Sequence, residues 1–414
     1  MSTDTIHRPG PPAAPKPPTA FATPPEGKPQ RGRASELEGY RGIAAISIIV
    51  FHVSQYAIQS TPSSQAVSQL AKFEIVDILF LLSAYLLTMS YARAAIDRTS
   101  TMTAGTFLFR RAVRILPLYW IGVTVIWSIR NPALPGDWID LLEHLTFTQV
   151  FDQKRIFYTL GPTWSMSLEI LFYGILVILG PLAVRICGNI ATRRARTAVL
   201  LAGCAVLYLI PVTWNAASYF VFHVPYDHWP VYFGPQARFG AFAVGMALAV
   251  IVAARKSEPV FKGSWALVLR AVGIAIVAGA TWIDRPNSWG QVGFHDIAAL
   301  GWLLLLASTV LGPRNQRWAR MLSWRPLTAV GLISYSSYMW HEPIMQTLQH
   351  HGITNRTVSA LPYNIAVVLL LSLAAGALSY RVIEYPTAKL RAMRNKDGSK
   401  RNYYPELEQL SEVK

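Results

Sequence analysis

An all-α, polytopic integral membrane protein of about ten transmembrane helices is the fold class this sequence predicts. Three observations carry that expectation. First, 52% of the 414 residues are hydrophobic and only 14% are charged, whereas about a quarter of a soluble domain is charged. Second, apolar runs recur near 40–58, 74–92, 115–129, 161–184, 196–214, 231–254, 264–283, 294–312, 327–349 and 360–383. Most are about 20 residues long, the length at which a helix crosses the hydrocarbon core. Third, basic residues crowd into alternate connecting segments. Arg93, Arg98, Arg110, Arg111 and Arg114 follow the second run, and Arg185, Arg193, Arg194 and Arg196 follow the fourth. Arg255, Lys256 and Lys262 follow the sixth, and Arg314, Arg317, Arg320 and Arg325 the eighth. This positive-inside pattern predicts a multi-pass protein of the cell membrane with both termini cytoplasmic. The net charge of +16 is then a matter of orientation in the lipid bilayer, and no nucleic-acid partner is expected.

The ends differ from the middle. Residues 9–30 are rich in Pro and Ala, so 1–35 reads as a disordered cytoplasmic extension. Residues 36–386 hold the apolar runs, and 387–414 reads as a charged cytoplasmic tail, too short for a second catalytic domain. No signal peptide is apparent, and no repeat of fixed period. Cys187 and Cys204 make neither a disulfide framework nor a metal-ligand cluster, so no metal is expected.

The first run opens Glu38-Gly39-Tyr40-Arg41-Gly42 and reaches Phe51-His52. Eleven steps at about 100° come within roughly 20° of three full turns, so Arg41 and His52 share one helix face, about 16 Å apart along the axis. An ionisable side chain inside a membrane helix is costly unless it faces protein or water. The bland alternative is a snorkelling Arg41 and a hydrogen-bonded structural His52. In the second run Asp77 lies near the outer end, where pairing or capping would account for it. Arg111 and Arg114 precede the third run and share a face. They suit anionic headgroups or, as bidentate guanidinium groups, a phosphate clamp.

In the fourth run Pro162 suits a first helical turn and Trp164 an interface belt. Glu169 then falls about 12 Å below the outer entry. A buried carboxylate needs a partner, and a histidine at the same depth would serve, which predicts a Glu169–His52 pair. Arg238 in the sixth run and His341 in the ninth also fall in the outer half. In the tenth, Glu384 lies at the depth of Arg41, where an ion pair is expected. The combination reads as a pocket with a basic cytoplasmic mouth at Arg41, Arg111 and Arg114. Its outer half holds His52, Glu169, Arg238 and His341, a set suited to acid–base chemistry.

These residues resemble the membrane-bound acyltransferase-3 family over roughly residues 36–386. The resemblance rests on an arginine–ten residues–histidine motif (Arg41, His52) and an Arg-x-x-Arg-Ile-x-Pro stretch (Arg111, Arg114, Pro117). A Thr-Trp-Ser…Glu…Phe-Tyr span (Trp164, Ser165, Glu169, Tyr173) and an Arg-Phe…Gly span (Arg238, Phe239, Gly245) follow. A Ser-Tyr-Ser…Trp-His-x-Pro stretch (Tyr335, His341, Pro343) and Ile-Glu-x-Pro (Glu384, Pro386) complete the order. Where the family often has Asp-Gly-Leu-Arg-Gly this chain has Glu38-Gly39-Tyr40-Arg41-Gly42. Its Gly-Val-Asp…Ser-Gly-Phe-Leu becomes Ile75-Val76-Asp77…Ser83-Ala84-Tyr85-Leu86. The fused extracytoplasmic esterase-like domain of some members is not expected here.

The resemblance implies transfer of an acyl group, commonly acetyl, from acyl-CoA to a hydroxyl of a carbohydrate, glycolipid or secondary metabolite. Acyl-CoA would be a donor substrate, with no tightly bound cofactor. Arg41, Arg111 and Arg114 would hold its phosphates, and His52 would deprotonate the acceptor or carry the acyl group. Glu169 would orient His52. Trp164, Arg238, Tyr335 and His341 would line the acceptor side or stabilise an oxyanion. The rival class is a secondary transporter or lipid/anion flippase, for which buried charges also mark a pathway.

Overall fold

The computed structural model describes residues 34–56, 76–255, 260–285, 288–313 and 316–388. The N-terminal extension, all but its last two residues, lies outside the described residues, as does the tail from 389 on. Among the described residues there is no strand, and eight helices are long and apolar enough to cross a membrane. The chain is an all-α polytopic membrane protein.

The principal helices are α1 (Ala34–Tyr56), α2 (Val76–Asp97), α3 (Ala104–Arg130), α4 (Trp138–Thr146), α5 (Trp164–Gly188) and α6 (Arg193–Ala216). They continue with α7 (Gly240–Ala254), α8 (Gly263–Ile283), α9 (Trp289–Val310), α10 (Arg325–Leu332), α11 (Ser334–His350) and α12 (Leu361–Ser379). Local chemistry sets several ends. Thr103 and Thr192 cap α3 and α6 by accepting from the backbone N–H three residues on, which satisfies an orphan donor of the first turn. Gly161-Pro162-Thr163 forms a tight turn into α5, where proline's missing N–H costs nothing.

Two of the ten apolar runs fold as interrupted helices. The run 231–254 breaks between the short helix Pro235–Arg238 and α7, and 327–349 breaks at Ile333 between α10 and α11. Irregular backbone at membrane depth is tolerated where protein or a cavity covers it.

Two packing units result. α2, α5, α6, α7 and α9 pack together, with α8 on α9. Phe80, Phe172 and Phe242 stack at their centre with ring centroids 4.6 and 4.5 Å apart. α1 instead packs chiefly on α10, α11 and α12. Its approach to α10 is backbone to backbone: a Cβ added at Gly42 would lie 2.3 Å from the Leu327 carbonyl oxygen, and one at Gly331 2.0 Å from that of Glu38. Only glycine permits this. The two cysteines are free and buried.

Candidate active site

A cavity of about 650 Å3 runs between α1, α2, α3, α5 and the start of α11. One end is basic, lined by Arg41, Arg93, Arg110, Arg111 and Arg114. The guanidinium groups come from three different helices, so the charge is a product of packing. Ser83, Glu169 and Tyr173 also line it, as do Ser165 and Tyr338. By helical rise along α2 and α5 the first three fall in the middle and Ser165 at the end away from the arginines. Tyr335 lines the wall and is held there because its hydroxyl donates to the Ile115 carbonyl at 2.9 Å.

On α1 the lining positions are Leu37, Arg41, Ala45 and Ile48, spaced four, four and three residues apart as one helix face requires. The next position on that face is His52. Its Nδ1 lies 2.6 Å from His341 Nε2, with the two rings stacked at 5°. His341 is fully buried, and its Nδ1 lies 2.5 Å from the Tyr338 carbonyl oxygen. A carbonyl only accepts, so His341 Nδ1 carries the proton and its Nε2 the lone pair. His52 Nδ1 must then be the donor, which puts the lone pair of His52 on Nε2.

Glu169 does not pair with His52. Its Oε1 accepts from Ser83 Oγ and from the Tyr173 hydroxyl, each at 2.5 Å. The expected pair fails for a geometric reason. Common depth fixes only the position along the membrane normal, while α1 packs with α10–α12 and α5 with α2. The Arg41–Glu384 pair is likewise replaced. Arg41 Nη1 donates to Glu38 Oε1 at 2.5 Å, one turn back on its own helix, while Glu384 accepts from the Ser336 hydroxyl across α11.

Trp164 and Arg238 stand beside the cavity. Phe80, a lining residue, meets Trp164 edge-on at 6.1 Å. The Arg238 guanidinium lies 5.3 Å from the Trp164 ring and 4.6 Å from that of Phe233, within cation–π range. Arg238 is buried, and its Nε and Nη1 have no hydrogen-bond partner among the described residues. Asp77 and Asp296 lie within electrostatic reach of it. Asp77 receives His295 Nδ1 at 3.0 Å, so it does serve in pairing. Asp296 accepts from Asn215 at 3.1 Å. Removing such charges from water is costly unless they are paired.

The sequence assigns no expected role to Ser83, Tyr338, His295 or Asp296. Ser83 stands in the stretch that corresponds to the family's Ser-Gly-Phe-Leu pattern, but its meeting with Glu169 depends on packing between helices. Tyr338 carries a signal, since it stands three residues before His341 and so shares its face.

Comparison with known proteins identifies the family. A sequence profile described as an acyltransferase domain matches residues 35–381. The chain belongs to the acyltransferase-3 family. It is similar to the O-acetyltransferase OatA of Staphylococcus aureus strain NCTC 8325 / PS 47, with 24% identity over 371 residues, covering 85% of this chain and 57% of that one. A protein of strain COL provisionally named as an O-acetyltransferase is 24% identical over 373 residues, with the same coverage. The chain thus spans 57% of the length of these relatives. No solved structure matches it.

Proposed function

We propose that this chain is an O-acyltransferase that moves an acyl group, acetyl in the first instance, from acyl-CoA to the hydroxyl of a carbohydrate, glycolipid or secondary metabolite. Residues 36–386 form the catalytic domain, seated in the cell membrane with both termini and the basic end of the cavity toward the cytoplasm. Membership of the family and the similarity to O-acetyltransferases support acyl transfer. The donor reading draws its support from the arginines at one end of the cavity, since guanidinium groups bind phosphate oxygens bidentately.

The observation that carries the chemistry is the His52–His341 pair. With His341 fixed in one tautomer, His52 Nε2 is the base. It takes the proton of the acceptor hydroxyl as that oxygen attacks the thioester carbonyl carbon. The positive charge arising on His52 is stabilised because its Nδ1–H bond to His341 becomes charge-assisted. The carbon–sulfur bond then breaks, and the thiolate leaves with the proton that His52 returns. Arg41 would hold donor phosphates with Arg111 and Arg114, and Trp164, Arg238 and Tyr335 would border the acceptor. The interrupted helices would also suit a transporter, but the family decides against that reading.

The test is chemical. Membranes containing the parent should release free CoA from acetyl-CoA and form an acetyl ester detectable by mass spectrometry, and His52→Ala membranes should do neither. Ester formation by a folded His52→Ala protein would remove His52 from the mechanism.

A further inference from the structure

The middle of the cavity has a chemistry of its own. Ser83 and Tyr173 each spend their single hydroxyl proton on one oxygen, Glu169 Oε1, at 2.5 Å. What this leaves on the three lining side chains is acceptor capacity: the hydroxyl lone pairs and Glu169 Oε2. Glu169 is half-buried and lines the cavity, and an ionised carboxylate accepts hydrogen bonds and donates none. The basic end is the reverse, since arginine donates and never accepts.

The order along α5 is fixed by its rise. Tyr173 lies within electrostatic reach of Arg111 and Arg114. Glu169 stands about 6 Å further on, and Ser165, which lines the cavity with Tyr338, about another 6 Å beyond. A ligand matched to this order bears anionic oxygens first, N–H donors partway along, and its reacting group last. A free phosphate has the first of these alone, and a phospholipid headgroup has no reacting thioester at its far end. Acyl-CoA has all three, because its pantetheine arm carries two secondary amides between the phosphates and the thioester.

We infer that Glu169 is a donor-binding residue that accepts a hydrogen bond from a pantetheine amide N–H, and so selects a thioester carried on an amide-bearing arm. This inference rests on the acyl-CoA reading above. It assigns Glu169 to the donor, where the expected partnership with His52 does not form. An amide N–H meeting a carboxylate makes a charge-assisted bond, stronger than a neutral one. The hydrogen bonds from half-buried Ser83 and buried Tyr173 hold the carboxylate in one orientation.

The experiment separates the arm from the phosphates. Calorimetric titration of the purified full chain in nanodiscs compares CoA with adenosine 3′,5′-bisphosphate, which has phosphates but no arm. Glu169→Gln keeps the side-chain shape and one carbonyl oxygen for Ser83 and Tyr173, and puts an NH2 group where the free acceptor stood. CoA binding should weaken at least tenfold, and binding of the bisphosphate should stay within about twofold. Equal losses for both ligands would make Glu169 a residue of the fold and overturn the inference. Unchanged binding of both with slower turnover would return Glu169 to the chemical step, which also overturns it. Failure of the parent to bind either ligand would bring down the donor reading itself. If Glu169→Gln does not fold, Glu169→Asp draws the carboxylate back by one methylene and carries the same comparison.

Discussion

His52 Nδ1 donates to His341 Nε2 across 2.6 Å, and the Tyr338 carbonyl holds the second histidine in the tautomer that makes this possible. His341 therefore acts through His52. His341→Ala should lower kcat by more than tenfold while leaving KM for acetyl-CoA nearly unchanged, the signature of an interaction made in the transition state. His52→Ala should cost about 10²–10⁴-fold, the usual worth of a general base. Steady-state kinetics on both variants check this, and a His341→Ala protein with parental kcat would break the pair.

The basic end should be separable from the chemistry. Arg111→Ala and Arg114→Ala should each weaken CoA binding by about 1.5–3 kcal/mol, the worth of a hydrogen bond to a charged group. Titration calorimetry reads the loss directly. A folded variant that binds CoA as the parent does would show that these arginines face lipid headgroups instead.

Close approach of α1 to α10 holds Arg41 at the cavity. Gly331→Ala places a methyl group 2.0 Å from the Glu38 carbonyl oxygen, so the helices must part. Overpacking of this kind costs about 1–3 kcal/mol. Thermal unfolding in detergent should show the loss, and an unchanged midpoint would mean that the contact yields freely.

The connection between α3 and α5 should be sensitive to acid. Asp137 caps α4 by accepting from Asp140 N–H at 3.1 Å, and Arg155 bonds Asp137 at 3.1 Å and Asp152 at 3.0 Å. Burial opposes ionisation of both carboxyls, but the backbone N–H groups and the Arg155 guanidinium outweigh it and hold both below the ordinary range. The stability they contribute is thus present above the unfolded value of about 4 and is lost as pH falls through the lower folded values. Pepsin nicking of residues 131–160 should set in only at acid pH, and Arg155→Gln should move that onset upward. An onset that does not move would mean that Arg155 does not hold the connection.

Orientation has its own test. Single cysteines at residues 215–230 should react with an impermeant thiol reagent from outside intact cells. Labelling only after the cells are opened would reverse the proposed topology.

The sequence by itself determined the all-α polytopic class, because the length of an apolar run and the cost of an unpaired backbone group in lipid leave little else. It also supplied the residues that gather at the cavity: Arg41, Arg111, Arg114, Glu169 and Tyr335 are all found there. The shared face of Arg41 and His52 followed from helical period alone. What only the tertiary structure decided was who meets whom across helices. His52 meets His341 and not Glu169, Arg41 meets Glu38 and not Glu384, and two apolar runs break where continuous spans were expected. The physical reason is that hydropathy and rise fix a residue's depth and its face. The choice of neighbouring helix is made by close packing at positions such as Gly42 and Gly331, and no one-dimensional pattern records it.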